Sequence, residues 1–317
     1  MNLKVNIGTL TLQNPIMAAS GTFGYAQEML PVFDLAQIGA IIPKTVTITP
    51  REGNKPPRTV ETSAGLLNAI GLDNDGVDRF LAEKLPLLIG YGPPIIVSIA
   101  AKSPDECDLF GKKLRCVSGV AAIELNVSCP NVSGGTDYGS DPELCRNIVR
   151  RMRDATEHLL IVKLTSNVTR IADIALAAVE GGADAISAIN TCLGMAIDWR
   201  KRKPRLANIV GGLSGPAIKP IALRCVYQIR QAFQARGIAT PIIGVGGIAS
   251  ADDVLEFLVA GATAVQVGTA NFYNPTVVPQ ILDQLPLILR ENGISDINEL
   301  VGTLGVLKCN AADGILP

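Results

Sequence analysis

The chain has 317 residues, 48% of them hydrophobic and 18% charged, with a formal net charge of −1 at pH 7. That balance argues against nucleic acid as the main partner. The N-terminus, Met1-Asn2-Leu3-Lys4-Val5-Asn6, has no apolar leader, and no run approaches the roughly 18 apolar residues of a membrane span. A soluble cytoplasmic protein is expected, and a charged fraction below the usual ~25% fits a large core plus buried subunit contacts. Cysteines 107, 116, 129, 145, 192, 225 and 309 form no C-x-x-C pair, which fits reduced thiols better than disulfides or a metal cage.

Residues 3–12, broken at Gly8, read as a small hairpin. Apolar, strand-like runs follow near 14–20, 40–47, 94–100, 121–128, 159–165, 185–191, 241–247 and 264–270. Helix-like stretches lie between most of them, at 104–115, 142–156, 170–180, 216–236 and 251–260. Ser103-Pro104, Asp141-Pro142 and Ser250 are good N-caps for three of these. Near-continuous apolar strands alternating with helices imply a parallel sheet covered by helices. The expected fold is a (β/α)₈ TIM barrel with the hairpin at its bottom and insertions at the strand C-terminal ends. A doubly wound open sheet is the alternative. No low-complexity linker divides the chain, so residues 1–317 read as one domain.

Barrel chemistry sits at the C-terminal strand ends, and polar or glycine residues gather there. In chain order the ends read Ala18-Ala19-Ser20-Gly21, Pro43-Lys44-Thr45-Val46-Thr47, Ser98-Ile99-Ala100, Asn126 to Cys129, Lys163-Leu164-Thr165, Asn190-Thr191, Gly246-Gly247 and Gly268-Thr269. The fourth is the most informative. An apolar run ends in Glu124-Leu-Asn126-Val-Ser-Cys129-Pro-Asn131, where proline turns the chain out of the ladder. The amides of Asn126 and Asn131 suit a planar polar substrate, and the Cys129 thiol can move a proton. A buried cysteine filling a strand end is the plainer reading. Gly244-Val-Gly246-Gly247 and Gly268-Thr269 fit the usual barrel phosphate site. Lys44 and Lys163 each follow an apolar run, where a lysine is costly without an anion; either faces a ligand or pairs with a loop carboxylate. Phosphate pocket, cation, thiol and amides together suggest flavin mononucleotide (FMN) and a small oxidisable substrate. No metal site is expected. His158, the one histidine, precedes strand five on the bottom side and has no catalytic role. Cys192 reads as a strand-end filler.

From Pro15 to beyond Asn271 the chain resembles the dihydroorotate dehydrogenases. The resemblance rests on Ala19-Ser20-Gly21-Thr22, Pro43-Lys44-Thr45-Val46-Thr47, Gly65-Leu66-Leu67-Asn68 with Gly71-Leu72, Asn126-Val-Ser-Cys129-Pro-Asn131, Asn190-Thr191-x-x-Gly194-Met195, Gly211-Gly212-Leu213-Ser214-Gly215-Pro216 and Gly244-Val-Gly246-Gly247-Ile248. Asn131-Val-Ser-Gly134-Gly135 and Gly268-Thr269-Ala270-Asn271 are similar to the class 1B catalytic subunit. That class works with a second protein carrying FAD and a 2Fe–2S cluster and passes electrons to NAD⁺.

The resemblance implies oxidation of (S)-dihydroorotate to orotate in pyrimidine (UMP) biosynthesis. Cys129 would remove the C5 proton while hydride passes from C6 to the flavin, with residues 132–140 as a lid. Lys44, Asn68, Gly71, Leu72, Asn126, Asn131, Asn190 and Thr191 would hold the substrate. Ala19, Ser20, Gly21, Lys44, Thr45, Ser98, Asn126, Lys163, Ile189, Gly215, Gly246, Gly247, Gly268 and Thr269 would hold FMN, with Ser98 standing where many relatives place Asn. A homodimer joined by two electron-transfer subunits, a heterotetramer, is implied. The rivals are a fumarate-dependent class 1A enzyme, a dihydropyrimidine dehydrogenase-like flavin barrel, and a flavin-free phosphosugar isomerase or aldolase.

Overall fold

In the computed structural model, residues 1–127 and 138–305 are described. Cys129 and Asn131, with residues 132–137 of the expected lid, lie outside them. Eight parallel strands close into a barrel: Ile16–Ala18, Ala40–Ile41, Ile95–Ile99, Val120–Asn126, Leu159–Leu164, Ala185–Ala188, Ile242–Val245 and Ala264–Val267. Each pairs with its neighbour in the chain, and the eighth pairs with the first to leave no edge. Every residue of Ile95–Ile99 and Leu159–Leu164 is buried. This is why these strands read as unbroken apolar runs rather than alternating ones. The open-sheet alternative is excluded by closure.

The helices dock on the outer face through one apolar stripe each. Pro142–Ala155 buries Cys145, Ile148, Val149 and Met152, spaced at three and four residues, and turns its arginines outward. Its start is set by Asp141, whose carboxylate accepts from the Glu143 and Leu144 amides at 2.9 Å. Ser103 and Ser250 cap Pro104–Leu114 and Ala251–Ala260 in the same way. The stretch 216–236 divides into a 3₁₀ turn, Pro216–Ile218, and the helix Lys219–Ala235. The strict strand–helix alternation fails after strand one, which is followed only by the 3₁₀ turns Gln27–Met29 and Leu35–Gln37.

The N-terminal hairpin, Val5–Ile7 with Leu10–Leu12, turns at Gly8 with φ 57°. The missing Gly8 side chain would lie 3.0 Å from Leu159, the first residue of strand five, so the hairpin sits at the barrel bottom. At the opposite end, insertions after strands two and six build a four-stranded antiparallel sheet. Its order is Cys192–Met195, Val210–Ser214, Gly65–Asn68, Thr59–Thr62. Only glycine fits at 65, because a Cβ there would approach the Ser214 carbonyl oxygen to 2.0 Å. A smaller hairpin, Ile197–Asp198 with Lys203–Pro204, carries the exposed run Arg200-Lys201-Arg202-Lys203, a basic patch that the near-zero net charge conceals.

One ion cluster joins two helix starts beneath the seventh strand end. Lys219 Nζ lies 2.6 Å from Asp253 Oδ1 and 3.0 Å from Glu256 Oε2. Burial pulls the Asp253 carboxyl upward, but Lys219, the Ala249 amide and Ser250 outweigh it and hold it below the usual carboxylate range. Its hydrogen bond to Asp253 raises Lys219 above the ordinary lysine value despite burial. Stability from Asp253 is therefore complete above about pH 4 and is lost as pH falls through its depressed pKa. The Lys219 contribution is complete at neutral pH and is lost only as pH rises through its raised pKa. Asp253→Asn should cost about 1.5–3 kcal/mol at pH 7, the range of a hydrogen bond to a charged group. Urea unfolding of both proteins at falling pH checks this: the gap should narrow on the acid side, and a gap that stays constant to pH 3 would place the loss elsewhere.

Candidate active site

A cavity of about 280 Å³ opens at the C-terminal end of the barrel, roofed on one side by the four-stranded sheet. Every barrel strand except the third contributes to its lining, from its last residues or from those that follow its C-terminal end. Of the residues singled out in the sequence, Ala19, Ser20, Gly21, Lys44, Thr45, Asn68, Gly71, Leu72, Asn126, Lys163, Ile189, Asn190, Thr191, Gly215, Gly246, Gly247, Gly268 and Thr269 all line it. Ser98 does not. It is buried behind Thr45, and the two hydroxyls lie 2.9 Å apart.

One end of the cavity is a backbone cradle. Gly246 (φ 136°), Gly247 (φ 73°) and Gly215 (φ 91°) hold conformations that suit glycine, and they turn three chain segments toward one another. Side chains there would meet Ala222 Cβ at 2.8 Å, Lys219 Cβ at 2.7 Å and Gly65 Cα at 2.8 Å, respectively. At Gly21 (φ 79°) a Cβ would meet nothing within 4 Å, so backbone faces open space beside Gly268 and Thr269. A pocket walled by glycine backbone suits a phosphate-bearing ligand whose oxygens accept from N–H groups.

The other end is lined by amides. Asn190 Nδ2 donates to Asn126 Oδ1 at 3.3 Å, and Asn190 Oδ1 accepts from the Thr191 amide at 2.7 Å, which fixes both side chains. Asn68 Nδ2 donates to the Gly212 carbonyl at 3.4 Å across the roof sheet. Lys44 Nζ stands 3.8 Å from Asp73 Oδ1, whose second oxygen accepts from Arg58 at 2.9 Å. The Gly71-Leu72 turn holds Leu72 at φ 58°, left-handed for a bulky residue. Asn74 keeps it there, donating to the Leu72 carbonyl at 2.6 Å while accepting from the Thr47 and Gly76 amides.

The floor carries charge. Lys163 Nζ donates to Gln266 Oε1 at 3.1 Å and lies 3.7 Å from Glu124 Oε1. Sequence reasoning missed Glu124 and Gln266 in this role, and it missed Thr22, Thr59, Asp73, Ser214, Phe272 and Tyr273 in the walls. The signal for Thr59 and Ser214 lay in the Gly65 and Gly211-Gly212 segments, which mark two backbones in close contact.

Other reactive groups lie elsewhere. Cys192 opens an edge strand of the roof sheet with Sγ 3.1 Å from Ser166 Oγ, outside the cavity lining. Burial pushes the Cys107 and Cys145 thiols up to about 12, which makes them inert. The His158 ring bonds the Leu114 carbonyl at 3.1 Å at the barrel bottom. Among the described residues no group of His, Cys, Asp and Glu could hold a metal ion, and no helix is long and apolar enough to cross a membrane.

Comparison with known proteins gives one consistent answer. The dihydroorotate dehydrogenase family model matches residues 2–289. A Geotalea uraniireducens protein named dihydroorotate dehydrogenase B (NAD(+)), catalytic subunit, is 50% identical over 304 residues, 96% of this chain and 98% of its own. Proteins of the same name from Trichlorobacter lovleyi (50% over 303 residues, 95% and 98%) and Geotalea daltonii (51% over 306 residues, 96% and 99%) match equally well. A closed barrel, a glycine cradle and an amide-lined pocket over a lysine floor thus stand in a chain half identical to these proteins along nearly its whole length, and the chain belongs to the dihydroorotate dehydrogenase family.

Proposed function

We propose that this chain oxidises (S)-dihydroorotate to orotate in pyrimidine biosynthesis, as the FMN-bearing catalytic subunit of an NAD-linked class 1B enzyme. The observation that carries the reading is that the glycine cradle, the lysine floor and the amide cluster share one cavity. The residues fit FMN: Gly246, Gly247, Gly268 and Thr269 take the phosphate, and Ser20, Gly21, Thr45 and Gly215 flank the flavin. Lys163, in the cavity lining, would hold its pyrimidine edge. Held there, a flavin would supply the acceptor for the hydride from C6 of the substrate.

The chain's own residues do the rest. Asn68, Asn126, Asn190 and Thr191, with Asn131, bind the planar ring and its carboxylate, and Lys44 supplies the cation between substrate and cofactor. Cys129, the third residue past Asn126, takes the C5 proton as general base. The roof sheet excludes water from the reacting face. The cytoplasm is its compartment, and residues 1–317 act as one domain. A partner subunit holding FAD and a 2Fe–2S cluster carries electrons to NAD⁺, in a heterotetramer built on a homodimer. The name of the relatives, which specifies NAD(+) and a catalytic subunit, supports this acceptor over fumarate.

An anaerobic absorbance spectrum before and after adding dihydroorotate tests the proposal. Flavin bands that bleach with substrate are expected. A flavin that stays oxidised would point to another pyrimidine, and a colourless preparation would return the isomerase or aldolase reading.

A further inference from the structure

Beneath the cavity floor lies a carboxylate that the proposed reaction does not use. Glu124 precedes Asn126 by two residues on one strand, so its side chain points to the same interior face, one layer deeper. It is fully buried, at 0% exposure. Its Oε2 accepts from Ser187 Oγ at 3.0 Å and from Gln266 Nε2 at 2.6 Å. Its Oε1 accepts no hydrogen bond and faces Lys163 Nζ at 3.7 Å. Gln266 bridges the two charges, accepting from the ammonium and donating to the carboxylate. Barrel interiors are normally filled with branched apolar side chains, and a buried carboxylate is costly unless paired. Lys163 lines the cavity and Glu124 does not, so Glu124 reaches the cavity only through Lys163.

We propose that Glu124 is a positioning residue that sets the reduction potential of the flavin by anchoring Lys163 and cancelling much of its field. The inference rests on the reading of the cavity as a flavin site. Reduction places negative charge on the flavin, and a cation at its edge favours that state. With Glu124 ionised the lysine–glutamate pair is neutral overall, so the reduced flavin is not held too tightly to pass its electrons on. Removing the carboxylate charge leaves a net positive charge beneath the flavin.

The test is an anaerobic titration of the holoenzyme with a chemical reductant and a reference dye, without dihydroorotate. Glu124→Gln is expected to shift the reduced-to-oxidised ratio at least tenfold toward reduced flavin, about 30 mV for a two-electron couple. The double variant Glu124→Gln/Lys163→Met should lose that gain, because the effect passes through the lysine. Should Glu124→Gln fail to hold flavin, Glu124→Asp keeps the charge but withdraws it by one methylene, and should move the potential the same way by a smaller factor. An unchanged or lowered potential, or loss of flavin in both single variants, overturns the proposal. Wild-type flavin that dihydroorotate cannot bleach would instead overturn the substrate reading and leave this result standing.

Discussion

At pH 7, Cys129→Ser is expected to slow the bleaching of bound flavin by dihydroorotate at least about 10²-fold, while orotate still binds within a few-fold of wild type. General-base catalysis contributes about 10²–10⁴-fold, and a serine hydroxyl is a far weaker acid than a thiol of pKa about 8.5. The described chain supports Cys129 by its approach and by the placement of the histidine and the other thiols away from the cavity. Asn126 lines the cavity, and the buried Val127 donates its amide to the Lys163 carbonyl at 3.4 Å, so strand four delivers the chain to the cavity two residues before Cys129. His158 is at the opposite end of the barrel, Cys192 is outside the lining, and Cys107 and Cys145 are buried with raised pKa values. Stopped-flow reduction between pH 6 and 9 checks the assignment. The wild-type rate should climb with the thiolate fraction, and the serine variant should regain part of its loss only at the alkaline end. A serine variant as fast as wild type would transfer the base to Lys44 or Asp73, titratable groups lining the same cavity.

The barrel was legible in the sequence because each strand is buried on both faces and ends abruptly in polar or glycine residues. Lys44, Asn126, Lys163 and Asn190 could be placed at one end on that ground alone, and they share one cavity. The roof was not legible. Its four strands, each only four or five residues long, lie in two segments separated by more than a hundred residues, and their pairing depends on the close approach of Gly65 to Ser214. Asp73, Thr59 and Ser214 reach the site through that roof and its flanking turns. Ser98 is absent from the lining for a different reason: a strand-end position fixes the layer a side chain occupies, not whether a neighbour stands before it, and here Thr45 does. Glu124 lay in full view within the most informative segment. Its partners, Ser187 and Gln266, come from strands 63 and 142 residues away, a pairing that only the closed barrel brings about.

Gly247→Val should weaken FMN binding by at least about 10²-fold, the second large effect. At φ 73° any residue with a Cβ is strained, by about 1–2 kcal/mol, and a β-branched one more. The new Cβ would also lie 2.7 Å from Lys219 Cβ and 3.0 Å from both Lys219 Cα and the Gly215 carbonyl oxygen. Neither side can yield cheaply. Lys219 begins the helix Lys219–Ala235 and is tied to Asp253 and Glu256, while Gly215 is packed against Gly65. The turn itself must open, and its N–H groups would move off the phosphate of the proposed FMN site. Hydrogen bonds to a charged group are worth about 1.5–3 kcal/mol each, so losing two corresponds to at least 10²-fold in affinity. Gly293→Ala is the control, since Gly293 has a similar φ of 69° with nothing within 4 Å of its missing side chain. It should show the backbone strain in its unfolding free energy but leave the FMN Kd unchanged. Quenching of FMN fluorescence on titration into apoprotein measures both variants. A Gly247→Val protein that binds FMN as wild type does would move the phosphate out of this turn.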